Sequence, residues 1–126
     1  MRSKAGLVIA AIVVLLVSSV STFAHHGTAA YEKDPVTVKG TVTDFRFINP
    51  HSQIYFDVKN DKGEVAHWQG ELTAPNKLAR AGWTKHSLNP GDQITITGPV
   101  GKNSGHSIWI QKLIGPDGQP MQLSED

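Results

Sequence analysis

Five short runs of this chain alternate apolar with polar side chains, and that period of two constrains the fold more than any other feature. In the first, Val36, Val38, Gly40 and Val42 face one way and Thr37, Lys39, Thr41 and Thr43 the other, the signature of a half-buried strand. Gly40 in mid-run predicts a bend or bulge. Phe45 and Phe47 carry the segment to Asn49-Pro50-His51, a turn by composition. The second run, Ser52–Lys59, sets Ile54, Phe56 and Val58 against Tyr55 and Asp57. After a hairpin connection at Asn60-Asp61-Lys62-Gly63, the third, Val65–Leu72, sets Ala66, Trp68, Gly70 and Leu72 against His67, Gln69 and Glu71. Strands at Gln93–Thr97 and Ser107–Ile114 follow, separated by a glycine-rich loop over Pro99–Gly105.

Between the third and fourth strands the period changes. Thr73 can cap a short helix with Pro75 in its first turn, Leu78, Ala79 and Ala81 on its apolar face and Gly82 at its end. Pro90-Gly91 marks a turn before the fourth strand. Three strands, a short helix and two more strands within about 90 residues is the order of the OB-fold, a small Greek-key barrel. The expectation is an all-β domain with one short helix, a five- to six-stranded OB-like Greek-key barrel. The Met121 segment is the candidate sixth strand, and an open sandwich is the competing arrangement.

Composition narrows the chemistry. The 126 residues contain no cysteine, which excludes disulfides, thiolate metal sites and a cysteine nucleophile. Residues 1–24 read as a cleavable export signal. Arg2 and Lys4 precede the apolar run Ala5–Val17, and Thr22 and Ala24 fall where a signal peptidase reads small residues. The competing reading is an uncleaved anchor, but Ala5–Val20 falls just short of the usual spanning length. Cleavage after Ala24 implies a periplasmic or secreted protein with no stable membrane insertion. It leaves an N-terminal arm over 25–35, ended by Asp34-Pro35, and a barrel domain over 36–123. Losing Arg2 and Lys4 leaves ten basic against eleven acidic residues. That net charge of −1 gives no broad basic surface for nucleic acid.

Ala24-His25-His26, Val38-Lys39-Gly40-Thr41-Val42, Asn49-Pro50-His51, Gly82-Trp83 and Leu88-Asn89-Pro90-Gly91-Asp92, followed by Ile94–Gly98, resemble together an uncharacterised family of exported bacterial proteins. The likeness runs along the whole chain after the leader. It departs where Gly27 stands in place of the usual Ser, and at Gln53, near which an aromatic is common. The resemblance implies a periplasmic β-barrel domain and brings no reaction or catalytic residues with it. A looser similarity is to small periplasmic OB-fold proteins, which implies ligand or ion binding.

All six histidines lie after the leader. Cleavage after Ala24 makes His25 the first residue, so its free amine and Nδ1 form a chelate suited to Cu(II), and His26 follows directly. If the arm folds back, His51 completes an all-nitrogen site for copper, with zinc less favoured. The plain readings stand beside this one: a solvated terminus for His25 and His26, and for His51 a turn histidine packed beside Pro50. His67 and Glu71 share a strand face but lie about 14 Å apart, too far to share one ion, and read as a solvated face. His86 and His106 read as loop residues. Ser52 and Ser107 adjoin histidines without showing a triad. Gly98–Gly105 lacks the ending of a phosphate loop.

Three functions follow for comparison. The first is a non-enzymatic periplasmic binding module with copper at His25, His26 and His51. The second is a metal-free accessory protein of the cell envelope that meets a protein partner through the Tyr55, His67 and Gln69 face or through the barrel end. The third is a copper-dependent redox enzyme on the same N-terminal site.

Overall fold

The computed structural model describes residues 30–125. Its strands are β1 (Tyr31–Arg46), β2 (Gln53–Lys59), β3 (Val65–Glu71), β4 (Gln93–Gly101), β5 (Ser104–Trp109) and β6 (Lys112–Ile114), with helix α1 (Pro75–Arg80) between β3 and β4. They form a sheet in the order β1-β2-β3-β5-β4-β6, and a further β1–β4 pairing closes five strands into a barrel. The β3–β5 pairing is parallel, whereas β1–β2, β2–β3 and β1–β4 are antiparallel. The expected OB-like Greek-key barrel is therefore present, with β6 as the extra strand. The Met121 segment adds an isolated bridge rather than a strand: Pro120 faces Ile114, with Met121 N–H on Leu113 O at 2.8 Å and Gly115 N–H on Gln119 O at 2.9 Å.

One long strand makes closure possible. From Pro35 to Thr41, β1 pairs with β4, and from Thr41 to Arg46 it pairs with β2. Gly40 stands at the handover, where a Cβ would lie 2.6 Å from the Phe56 ring and 2.7 Å from Asp57 O. Only a residue without a side chain lets β1 coil that tightly over β2. The register also shifts between Val42 and Asp44, so the bend that Gly40 predicts is spread over a strand crossing and a bulge.

The alternating apolar residues converge on one core, including Val42, Ile54, Phe56, Leu72, Ile94, Ile96, Ile108 and Leu113, each almost fully buried. A side chain of this size contributes about 1.5–3 kcal/mol when buried. The helix adds Leu78, and Trp83 and Leu88 follow from the connection after it. Trp83 packs on Phe45 at 5.7 Å between centroids and donates Nε1–H to Gln122 O at 2.7 Å. Among the described residues no helix is long and apolar enough to cross a membrane.

Four local expectations change. First, β1 starts at Tyr31 rather than Val36, so Asp34-Pro35 lies inside a strand. Pro35 faces Pro99, with an irregular register between Tyr31 and Pro35, which is how a strand accommodates a residue without an N–H. Second, Ala74 rather than Thr73 is the N-cap of α1, with no side-chain cap. Third, Pro99–Gly105 is largely strand, since β4 runs to Gly101 and β5 begins at Ser104. Fourth, Ser107–Ile114 is divided between β5 and β6. At the break, Ile110 N–H bonds Glu71 O at 3.0 Å and Gln111 N–H bonds Thr97 O at 2.9 Å. The chain there leaves β3 and pairs with β4 alone, in a shifted register: Ile108 of β5 faces Val100, whereas Lys112 of β6 faces Thr97.

Candidate functional site

Four polar or aromatic side chains that are distant in sequence meet at one edge of the barrel. Tyr31 begins β1, His51 ends the turn before β2, Glu71 ends β3 and Trp109 ends β5. Strand register explains the meeting. Glu71 lies opposite Gln53 on β2 and opposite Trp109 on β5. His51 precedes Gln53 by two residues, so it shares that face and is the diagonal neighbour of Glu71. The intervening residues point inward: Ser52, Gly70, Leu72, Ile108 and Ile110 are buried, whereas the four site residues are only partly so.

Glu71 is the hub. Its Oε1 meets His51 Nδ1, and its Oε2 accepts the Tyr31 hydroxyl at 2.7 Å. Trp109 lies edge-on to the His51 ring, with centroids 5.6 Å apart and planes at 73°. Tyr31 flanks the same indole at 6.4 Å. The side chains of His51 and Glu71 are 43% and 29% exposed, so the pair is reachable from solvent and is not sealed in the core. The Asn49–Pro50 peptide preceding His51 is cis. Burial, then the hydrogen bond to Glu71 and its negative charge, push the Tyr31 hydroxyl up to about 12. Tyr31 therefore stays protonated and serves as a donor across the neutral range.

An ionised carboxylate only accepts hydrogen bonds, so Nδ1 carries the proton in this contact. In the neutral imidazole the lone pair is then on Nε2. That is the arrangement of histidines that ligate metals or act as bases. The chemistry available is thus an oriented imidazole nitrogen, backed by a carboxylate and bordered by two aromatic rings.

The other singled-out residues are dispersed. His25 and His26 lie outside the described residues. His67 does not associate with Glu71: its Nδ1 meets the carboxylate of Asp57, its cross-strand partner, at 2.6 Å. His106 lies on β5 rather than in a loop and stacks on Trp68 at 5.3 Å. His86 is exposed in the connection after α1. Ser52 faces the core, whereas its neighbour His51 faces out, so the two do not form a nucleophile–base pair. Among the described residues no group of three or more His, Cys, Asp or Glu side chains could hold a metal ion. Sequence reasoning missed Tyr31 and Trp109 as site residues and assigned Glu71 to a solvated face. The signal for Glu71 was the Asn60–Gly63 hairpin, which fixes the β2–β3 register and with it the neighbours of every outward residue.

Comparison with known proteins gives a family and little else. No curated protein matches the chain. Among solved structures, the chain is similar to the crystal structure of the ZRD-deleted mutant of TiaS in complex with agmatine. The identity is 16%, the TM-score is 0.39, and the match covers 63% of this chain. It spans only 20% of that protein's length. Residues 12–108, well over half of the chain, match a family of unknown function, DUF6152. The chain belongs to that family.

Proposed function

We propose that this protein is a small periplasmic module that binds copper through His51 and the two histidines exposed by cleavage after Ala24. The observation that carries this reading is the contact of His51 Nδ1 with Glu71, which leaves Nε2 open. Reach supports it as well. The Tyr31 hydroxyl is hydrogen-bonded to the carboxylate that meets His51, so β1 begins beside this site. His26 precedes Tyr31 by five residues, a span of at most about 18 Å, and His25 by six, about 22 Å. An amine and imidazoles without thiolates form a donor set that prefers Cu(II) to the other divalent first-row metals.

A partner-binding role for the Tyr55, His67 and Gln69 face draws less support. The Tyr55 hydroxyl is engaged with Gln53 Oε1 at 2.7 Å, Arg46 covers the Tyr55 ring at 4.8 Å, and His67 is held by Asp57. Redox catalysis would need an open coordination position on the same copper ion.

The test is copper titration of correctly processed protein against a version with one extra N-terminal residue. The extension removes the amine–imidazole chelate of His25, and affinity falls by at least about tenfold, or 1.4 kcal/mol. Equal affinities overturn the chelate.

A further inference from the structure

We infer that Glu71 is the positioning residue of the His51 site: it fixes the ring in the Nδ1–H tautomer and makes Nε2 the nitrogen offered to a metal ion. This rests on the reading of His51 as a ligand, and it adds the residue that determines which nitrogen binds.

The Glu71 carboxylate is held rigidly. Glu71 is the last residue of β3 and is paired on both sides, with Gln53 of β2 and Trp109 of β5. Its carbonyl accepts the Ile110 N–H at 3.0 Å. The side chain is equally committed, with Oε1 on His51 and Oε2 on the Tyr31 hydroxyl. Two partners on two oxygens fix the terminal torsion, which is otherwise broad. Each oxygen is already committed to a side-chain partner, and Glu71 acts on the site through His51. Trp109, edge-on to the imidazole, restricts the second degree of freedom, rotation of the His51 ring.

The chemistry follows from this placement. An ionised carboxylate cannot donate, so the neutral ring must place its hydrogen on Nδ1. A carboxylate behind a ligating imidazole also raises the basicity of the free nitrogen, and loss of such a partner typically weakens metal binding by about 10–100-fold. The negative charge of Glu71 further favours a cation in front of the ring.

Glu71→Gln isolates the effect. The amide oxygen can still accept from Tyr31 while the amide nitrogen donates to His51 Nδ1, so both contacts persist with one reversed. Nδ1 then becomes the acceptor, the hydrogen moves to Nε2, and the open nitrogen is blocked.

The experiment is nitrogen NMR of histidine-labelled, correctly processed, metal-free protein, in which ring couplings distinguish protonated from bare nitrogens. The expected result, read where the ring is in its neutral form, is Nδ1–H in the wild type and Nε2–H in Glu71→Gln. Copper titration of the two proteins should then show affinity about 10–100-fold weaker for the variant. Nε2–H in the wild type overturns the inference without recourse to any variant. A tautomer unchanged in folded Glu71→Gln also overturns it, as does copper affinity unchanged despite the switch. If the tautomer switches as expected but the wild type binds no copper, Glu71 retains its control of the ring and the copper reading alone is overturned.

Discussion

The Tyr31 hydroxyl donates to Glu71 Oε2 at 2.7 Å, which ties the first residue of β1 to the last residue of β3 across 40 positions of sequence. Because the other oxygen of the same carboxylate meets His51, the start of the barrel and the candidate site share one anchor. Partial burial, and then Glu71, push the Tyr31 hydroxyl from 10.0 up to about 12. The protonated phenol is the form that the fold favours. Its contribution is therefore complete below pH 10 and declines as pH rises towards 12. Tyr31→Phe should cost about 0.5–1.5 kcal/mol in denaturant unfolding near neutral pH. The gap between variant and wild type should narrow between pH 10 and 12. A gap that stays constant over that range would show that the Tyr31 hydroxyl is not held protonated by the fold.

The second histidine–carboxylate contact should behave differently. His67 meets Asp57 at 2.6 Å, but its side chain is 86% exposed. Solvent screening limits such a pair to about 0–1 kcal/mol. His67→Ala is therefore expected to change stability by less than about 1 kcal/mol and to leave copper titration unchanged. A weakened copper affinity in His67→Ala would move the site to the other end of β3.

This contrast shows what the sequence made legible. The β2–β3 hairpin was readable from its turn and alternation, and the observed register sets Asp57 opposite His67 and Gln53 opposite Glu71. Alternation along β3 alone separates His67 from Glu71 by about 14 Å. It does not identify their partners, which come from β2, the preceding turn and β1. Tyr31 and Trp109 join the site through β1–β4 closure and parallel β3–β5 pairing, long-range contacts with no local sequence signal. The core was easier to read because each inward position needs only an apolar side chain, whatever strand lies opposite.

Gly98 should tolerate no side chain. An added Cβ would lie 1.8 Å from Trp109 O, a backbone atom that cannot rotate away. Gly98→Ala must separate β4 from β5, at a cost of about 3 kcal/mol or more, the upper end of overpacking penalties. Because Trp109 borders His51, copper affinity should fall with stability. Gly105 is the control, since nothing lies within 4 Å of a Cβ there. Gly105→Ala is expected to stay within about 0.5 kcal/mol of wild type. Calorimetric unfolding that finds equal stabilities for the two variants would contradict the close β4–β5 approach.

Ser52 separates packing from site chemistry within a single pair of neighbours. Its hydroxyl is fully buried with no hydrogen-bond partner among the described residues. Its backbone bonds, N–H to Thr73 O at 3.1 Å and O from Leu72 N–H at 2.8 Å, do not involve the side chain. A buried hydroxyl without a partner costs about 1–3 kcal/mol of desolvation. Ser52→Ala should therefore leave stability unchanged or raise it by about 1 kcal/mol, measured by denaturant midpoint at constant slope. Since His51 faces the opposite side of the strand, copper affinity and the His51 tautomer should be unaffected. Destabilisation would reveal a partner for the hydroxyl in the core. A loss of copper binding without destabilisation would instead bring Ser52 into the site and overturn the inward orientation on which the four-residue cluster depends.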